Sequence, residues 1–142
     1  MTGYLIDSSA MWRMLRGGPV SDTWRDVIAD GALRSCYPQR TEFFRSARNL
    51  EEYDEFTTLF DQTTRDAAVP KSAGSWIRTI QRRAAQGGCV NSLSAVDLMI
   101  CATAVNHNLT IVHDDKDFVT ATRFATELRE VNVHDGPLEL GI

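Results

Sequence analysis

The sequence predicts an α/β fold: a three-layer α/β/α sandwich around a central, mostly parallel sheet, built as one domain over residues 1–142. Three observations carry this. Short apolar runs such as Leu5-Ile6 and Ile111-Val112 read as strands buried on both faces. Segments with helical spacing follow them, and parallel neighbours need such helical crossovers, which cover both sheet faces. Finally, 142 residues suffice for a single core, with no repeat, low-complexity tract or interdomain linker.

The elements follow in order. Tyr4-Leu5-Ile6 is a strand, and Asp7-Ser8-Ser9 offers caps for a helix through Ala10 to Leu15 that stops at Gly17-Gly18-Pro19. A second helix is expected to open at Ser21 or Asp22 and close at Gly31, followed by a strand over Ala32 to Cys36. Pro38 permits a helix start, with Phe43, Phe44 and Ala47 at core spacing. Asn49 is a cap for a helix holding Leu50, Tyr53, Phe56, Leu59 and Phe60, its acids facing water. Thr63 to Lys71 contains Pro70 and reads as a loop or broken strand. Ser75-Trp76-Ile77 begins a helix that Gly87-Gly88 stops. Ser94 opens the next, which is apolar nearly all round from Leu98 to Val105 and ends at Asn106-His107-Asn108. Thr110-Ile111-Val112 is a strand, Phe118 to Ala125 a short helix, and Val131-Asn132-Val133 a last strand.

Composition narrows the classes. Cys36, Cys89 and Cys101 are an odd number without CxxC spacing, two of them in apolar runs, which points to reduced thiols and a cytoplasmic protein without disulfides. The chain starts directly in a strand pattern, with no signal-like lead and no stretch long enough for a membrane span. The net charge of −4 conceals an asymmetry: residues 51–70 hold six acids against one base, whereas residues 71–96 hold Lys71, Arg78, Arg82 and Arg83 and no acid. An acidic chain with grouped bases retains the means to bind a polyanion, and Arg40, Arg45 and Arg48 also bracket Glu42. The same arginines are equally consistent with a solvated helix surface.

Acids stand at the strand ends and first helical turns: Asp7, Glu42, Asp97, and the cluster Asp114, Asp115 and Asp117. In an open parallel sheet these positions share the rim where such folds bind ligands. Each has an ordinary structural reading too: Asp7 as a helix start, Glu42 as a surface residue, Asp97 as the acidic half of a capping box after Ser94, and Asp114/Asp115 as turn formers. An exposed cap role fits poorly with Asp97, which enters the most apolar helix. Carboxylates ~4 Å apart repel by ~4 kcal/mol at an effective dielectric of ~20, so converging acids call for a hard divalent cation. Magnesium or manganese, one ion or two, suits oxygen ligands better than zinc. His107, His113 and His134 lack paired ligand spacing and read as surface or core residues.

Four segments in order resemble the motif set of PIN-domain nucleases: Tyr4-Leu5-Ile6-Asp7-Ser8-Ser9-Ala10, Pro38 with Thr41-Glu42, Ser94 to Ala104 around Asp97, and Val112-His113-Asp114-Asp115-Lys116-Asp117-Phe118. The length and the Asp-x-Asp-Phe ending resemble, more narrowly, the toxin subunit of VapBC-type toxin-antitoxin pairs. The resemblance runs from Tyr4 to Phe118. It implies Asp7, Glu42, Asp97 and Asp115 as an acidic quartet that binds metal and carries catalysis, Asp117 as a fifth acid near a second metal position, and Ser9 as a hydroxyl support. The family often carries two polar residues before the third acid, where this chain has Leu93 and Ser94. Asp114 is an extra acid; Asp115 is preferred as the fourth ligand because it begins the Asp-x-Asp-Phe motif.

The resemblance further implies an endoribonuclease acting on structured RNA such as tRNA or rRNA, a cognate antitoxin covering the groove, and a homodimer. Arg13, Arg16, Arg40, Arg45, Arg78, Arg82 and Arg83 are compatible with positioning phosphates. Met11, Trp12, Leu15, Tyr53, Phe56 and Phe60 read either as core or as apolar partner contacts. Two other readings are an Asp-based phosphotransfer enzyme, which wants a second acid where Ser9 stands, and a PIN-like RNA-binding or scaffold module whose acids are structural. A receiver-like signalling domain lacks its acidic pair and late lysine.

Overall fold

The computed structural model describes residues 3–138. Five short strands, β1 (Tyr4–Ile6), β2 (Leu33–Ser35), β3 (Arg65–Asp66), β4 (Thr110–His113) and β5 (Arg129–Asn132), form one sheet in the order β3-β2-β1-β4-β5. Every pairing is parallel. The helices are α1 (Ser8–Leu15), α2 (Pro19–Ala29), α3 (Tyr37–Phe44), α4 (Leu50–Thr63), α5 (Ala73–Gln86), α6 (Ala95–His107) and α7 (Lys116–Ala121), with a 3-10 turn at Val133–Asp135.

Side chains alternate across a strand, so the sheet feeds two cores. Leu5 and Ile111 face Ile80, Ile100, Cys101 and Phe118 on one side. Tyr4, Ile6 and Val112 face Met11, Trp24, Phe43 and Phe60 on the other. This is the three-layer sandwich. Trp24 is wholly buried, meets Tyr4 edge-on at 5.0 Å, and donates its indole N–H to the Val133 carbonyl at 2.9 Å, locking α2 to the chain after β5. The cysteines are free, with Cys36 and Cys101 buried. Among the described residues no helix is long and apolar enough to cross a membrane.

Boundaries depart from expectation where one residue serves two elements. Gly17-Gly18-Pro19 ends α1, but Pro19 also begins α2 at once, two residues before Ser21: Gly18 turns the chain at φ 75° and proline's fixed φ suits the first helical position. The last helix starts at Lys116 rather than Phe118 because the Asp115 side chain caps it, and it ends at Ala121 rather than Ala125. The final strand starts at Arg129 because Thr110 to His113 pair with Arg129 to Asn132, and Val133 already belongs to the 3-10 turn. Within Thr63–Lys71 only Arg65–Asp66 joins the sheet.

Chain order reverses at the centre: β1 pairs β2 on one side and β4 on the other. Ligands of open parallel sheets bind beyond the carboxyl ends of strands at such a switch point. Asp7 follows β1 there, and the Asp7 N–H donates to the Val112 carbonyl at 2.9 Å, so the ends of β1 and β4 are tied side by side.

Candidate active site and metal centre

Three carboxylates converge most tightly. Asp97 in the first turn of α6, and Asp115 and Asp117 at the start of α7, each offer an oxygen, and these oxygens lie within 4.8 Å of one another. Asp7 and Glu42 lie outside that triplet, and Asp7 links Glu42 to it. Repulsion from Asp7 helps raise both Glu42 and Asp97, and Asp115 adds to the rise at Asp7 and Asp97. Asp117, expected as a fifth acid, stands in the tight group with Asp97 and Asp115, while Asp7 and Glu42 lie beside it.

Local chemistry explains each placement. Asp7 is only 5% exposed, and burial raises its carboxyl above the usual range. Ser9 opposes that rise, donating its hydroxyl to Asp7 at 2.6 Å and its backbone N–H at 3.1 Å. The same Ser9 oxygen accepts the Asp114 N–H at 2.8 Å, so one hydroxyl joins the segments leaving β1 and β4. Asp97 does cap α6: Ser94 Oγ accepts the Asp97 N–H at 3.0 Å, and the Ser94 N–H reaches the Asp97 carboxylate at 3.4 Å. Asp97 thus combines both readings, forming the box while remaining half-buried rather than as an exposed cap. That single long bond leaves the carboxylate poorly compensated. Burial, then Asp7, pushes Asp97 up to about 6. Asp115 accepts the Asp117 N–H at 2.9 Å, which fixes the two acids relative to each other.

Asp114 turns away from this group. Arg13 donates its Nε to Asp114 at 2.7 Å, Asn132 adds an amide at 3.2 Å and His134 an imidazole nitrogen at 3.3 Å, and these donors, Arg13 foremost, hold the Asp114 carboxyl below its ordinary value. The pairing gives the Asp114 carboxylate a structural role. It also commits Arg13, one of the expected phosphate-positioning arginines. Arg40 is likewise bonded to Ser35 and Asp66, and Arg83 to the Phe124 carbonyl. Arg45 is the cation that acts on Glu42.

Of the expected partner contacts, Met11 and Phe60 are buried, whereas Trp12, Leu15 and Tyr53 are exposed. Trp12 stacks on Phe43 at 4.3 Å, so its other surface is the one offered to solvent. A cleft of about 680 Å³ runs from Asp115 and Lys116 past Asn132 to Pro137; of the converging acids only Asp115 lines it.

The donor set suits a hard cation. All donors are carboxylate oxygens, three of them within reach of one ion, and the leading influences on Asp7 and Asp97 are burial, other acids and serine donors rather than a basic side chain. Zinc sites favour the nitrogen and sulfur donors that this group lacks. One further residue carried no legible signal in the sequence: buried His113, wedged between Asp115 and Glu130.

Comparison with known proteins identifies the family and the fold. The family model of the PIN domain matches residues 4–123. The chain is 46% identical over 101 residues to Ribonuclease VapC6 of Mycobacterium tuberculosis, spanning 71% of this chain and 80% of that protein. It is 29% identical over 119 residues to Ribonuclease VapC21 of the same organism, spanning 82% and 84%. Among solved structures, DNA-bound VapBC from Salmonella typhimurium matches with a TM-score of 0.74 at 12% identity over 94% of this chain and 99% of that one. FitAcB from Neisseria gonorrhoeae matches with a TM-score of 0.68 at 19% identity over 92% and 98%. At those identities the structural likeness speaks for the fold alone. The chain belongs to the PIN-domain family, on its VapC branch.

Proposed function

We propose that this chain is a single-domain, metal-dependent endoribonuclease that hydrolyses phosphodiester bonds of structured RNA such as tRNA or rRNA, and that it is the toxin of a toxin-antitoxin pair. The observation that carries the reading is the triplet Asp97, Asp115 and Asp117, with oxygens within 4.8 Å, at the switch point of a parallel sheet. The names of the curated relatives, both ribonucleases, support the activity.

Asp97, Asp115 and Asp117 would hold Mg²⁺ or Mn²⁺, one ion or two, with Asp7 and Glu42 on the border of the site. A bound divalent ion supplies charge neutralisation at the scissile phosphate and a lowered pKa for the attacking water. In hydrolysis the water oxygen forms a new bond to phosphorus, one bridging P–O bond breaks, and the proton ends on the departing oxygen. The chain's own residues prepare that step. Ser9 keeps Asp7 oriented, and Ser94 and Asp115 fix the neighbouring acids. Arg16, Arg45, Arg78 and Arg82 are the arginines best suited to phosphate contact, since Arg13, Arg40 and Arg83 are spent within the fold.

A nuclease of this kind needs restraint in its own cytoplasm. The VapBC complexes among its structural neighbours support a cognate antitoxin over the groove, and exposed Trp12, Leu15 and Tyr53 are apolar contacts suited to that partner or to a homodimer. The test is cleavage of cellular RNA by chelator-treated protein, with Mg²⁺ or Mn²⁺ restored, beside Asp7→Asn. The proposal expects cleavage only with metal and only in the unaltered chain, and ends of cut RNA that map to defined sites. Cleavage that persists in chelator overturns it.

A further inference from the structure

His113 closes β4 and is 1% exposed, so it neither meets substrate nor stands in the acid cluster. Its two ring nitrogens are nonetheless both engaged. Nδ1 accepts the backbone N–H of Asp115 at 3.1 Å, and Nε2 lies 2.8 Å from Glu130 Oε1 on β5. A nitrogen that accepts carries no proton, so the neutral ring bears its proton on Nε2 and donates it in a hydrogen bond to the Glu130 carboxylate. The opposite tautomer sets N–H against N–H at Asp115 and a lone pair against Glu130. Both contacts select the same form, and Phe118 holds the ring plane from 5.3 Å.

The turn carrying the acids is held twice as a result. Ser9 Oγ takes the N–H of Asp114, and His113 takes the next N–H, that of Asp115. Asp115 then takes the N–H of Asp117. Orientation passes from Glu130 through His113 to both α7 carboxylates without a gap. We propose that His113, set by Glu130, is the positioning residue of the Asp115–Asp117 half of the metal site. The proposal rests on the metal-dependent reading above.

A merely space-filling histidine and a positioning one predict opposite rank orders. At a buried site, packing alone favours leucine over asparagine; positioning favours asparagine, whose side-chain carbonyl stands near the place of Nδ1 and still accepts from Asp115. Mn²⁺ binding to the RNA-free protein, measured by calorimetry, reads the difference, and amide hydrogen exchange at Asp115 in the metal-free protein reads it without metal. Outer partners of metal ligands typically contribute about 10- to 100-fold in affinity. We expect His113→Leu to weaken Mn²⁺ binding within that range and to speed exchange at Asp115, with His113→Asn recovering most of both. Glu130 sits at the rim, so Glu130→Ala leaves the core intact; it should weaken Mn²⁺ binding about 10-fold, and Glu130→Gln, whose carbonyl still accepts from Nε2, should recover it. If His113→Leu does not fold, the Glu130 pair decides alone.

Leucine binding Mn²⁺ as tightly as asparagine, or Glu130→Ala leaving both Mn²⁺ affinity and Asp115 exchange unchanged, overturns the proposal. Asp97→Asn in the same titration separates the two levels. If it abolishes binding while the His113 and Glu130 variants do not alter it, positioning fails and the metal site stands. If Asp97→Asn binds Mn²⁺ like the unaltered chain, the metal reading fails and the positioning proposal falls with it.

Discussion

Asp114 and Asp115 are neighbours with identical side chains, and the fold gives them opposite surroundings. Asp114 receives a guanidinium, an amide and an imidazole from three other elements, and its carboxyl is held low. Asp115 turns toward Asp97 and Asp117, where burial and then the Asp7 charge drive Asp97 up to about 6. The chain therefore neutralises Asp114 on the back of the turn and gives Asp97, Asp115 and Asp117 on the front no bonded cation among the described residues. On the front it supplies orientation, through Ser9, Ser94 and His113, and leaves charge to be balanced from outside.

The largest expected effect comes from removing a front-side charge. Asp97→Asn should weaken Mn²⁺ binding by more than about 100-fold, beyond the cost of losing a supporting partner. The same change relieves repulsion in the metal-free protein and should raise its Tm by ~2–4 °C, a stabilisation that calorimetric scanning detects. A lower Tm together with intact binding would place Asp97 on the structural side of the comparison.

Acidity should act on the front next. Asp97 binds its proton more tightly folded than unfolded, with a value of about 6 against an ordinary 3.8. Within that window the folded state holds more protons, so the stability of the metal-free protein falls as pH rises through it. Metal must displace the same proton, so Mn²⁺ affinity should drop below pH 6 by up to about tenfold per unit, measured by titration from pH 5 to 7.5.

A smaller effect belongs to the back of the turn. Asp114→Ala breaks a partly exposed pair with Arg13 and should cost about 0.2–1 kcal/mol of stability in denaturant unfolding, with Mn²⁺ affinity unchanged. Loss of metal binding would show that the two faces are not separate. The smallest effect concerns phosphate contact: Arg45→Ala should reduce the salt dependence of RNA binding by about one unit of slope, whereas Arg13→Ala, already committed to Asp114, should leave the slope alone.

Much of this was legible in the sequence because it is written locally. Apolar runs announced β1 and β4, Asn49 and Ser94 announced their helices, and spacing put Asp7, Asp97 and Asp115 on one rim. What stayed hidden depends on partners far along the chain. The Asp-x-Asp-Phe motif favoured Asp115 over Asp114, but what occupies Asp114 instead, Arg13 from 101 residues away, is not written near it. His113 showed no ligand spacing because its partner is Glu130, 17 residues on and one strand over. The start of β5 at Arg129 was obscured for a related reason: exposed Arg129 and half-buried Glu130 lack the apolar run by which the central strands are read.

The most direct test compares the Tm of chelator-treated and Mn²⁺-saturated protein at pH 5 and pH 7.5. The account predicts a gap that is small at pH 5, where Asp97 holds its proton, and widens at pH 7.5, where the ionised acids need a cation. A gap that is absent at both pH values, or equally wide at pH 7.5 in Asp97→Asn, would contradict it.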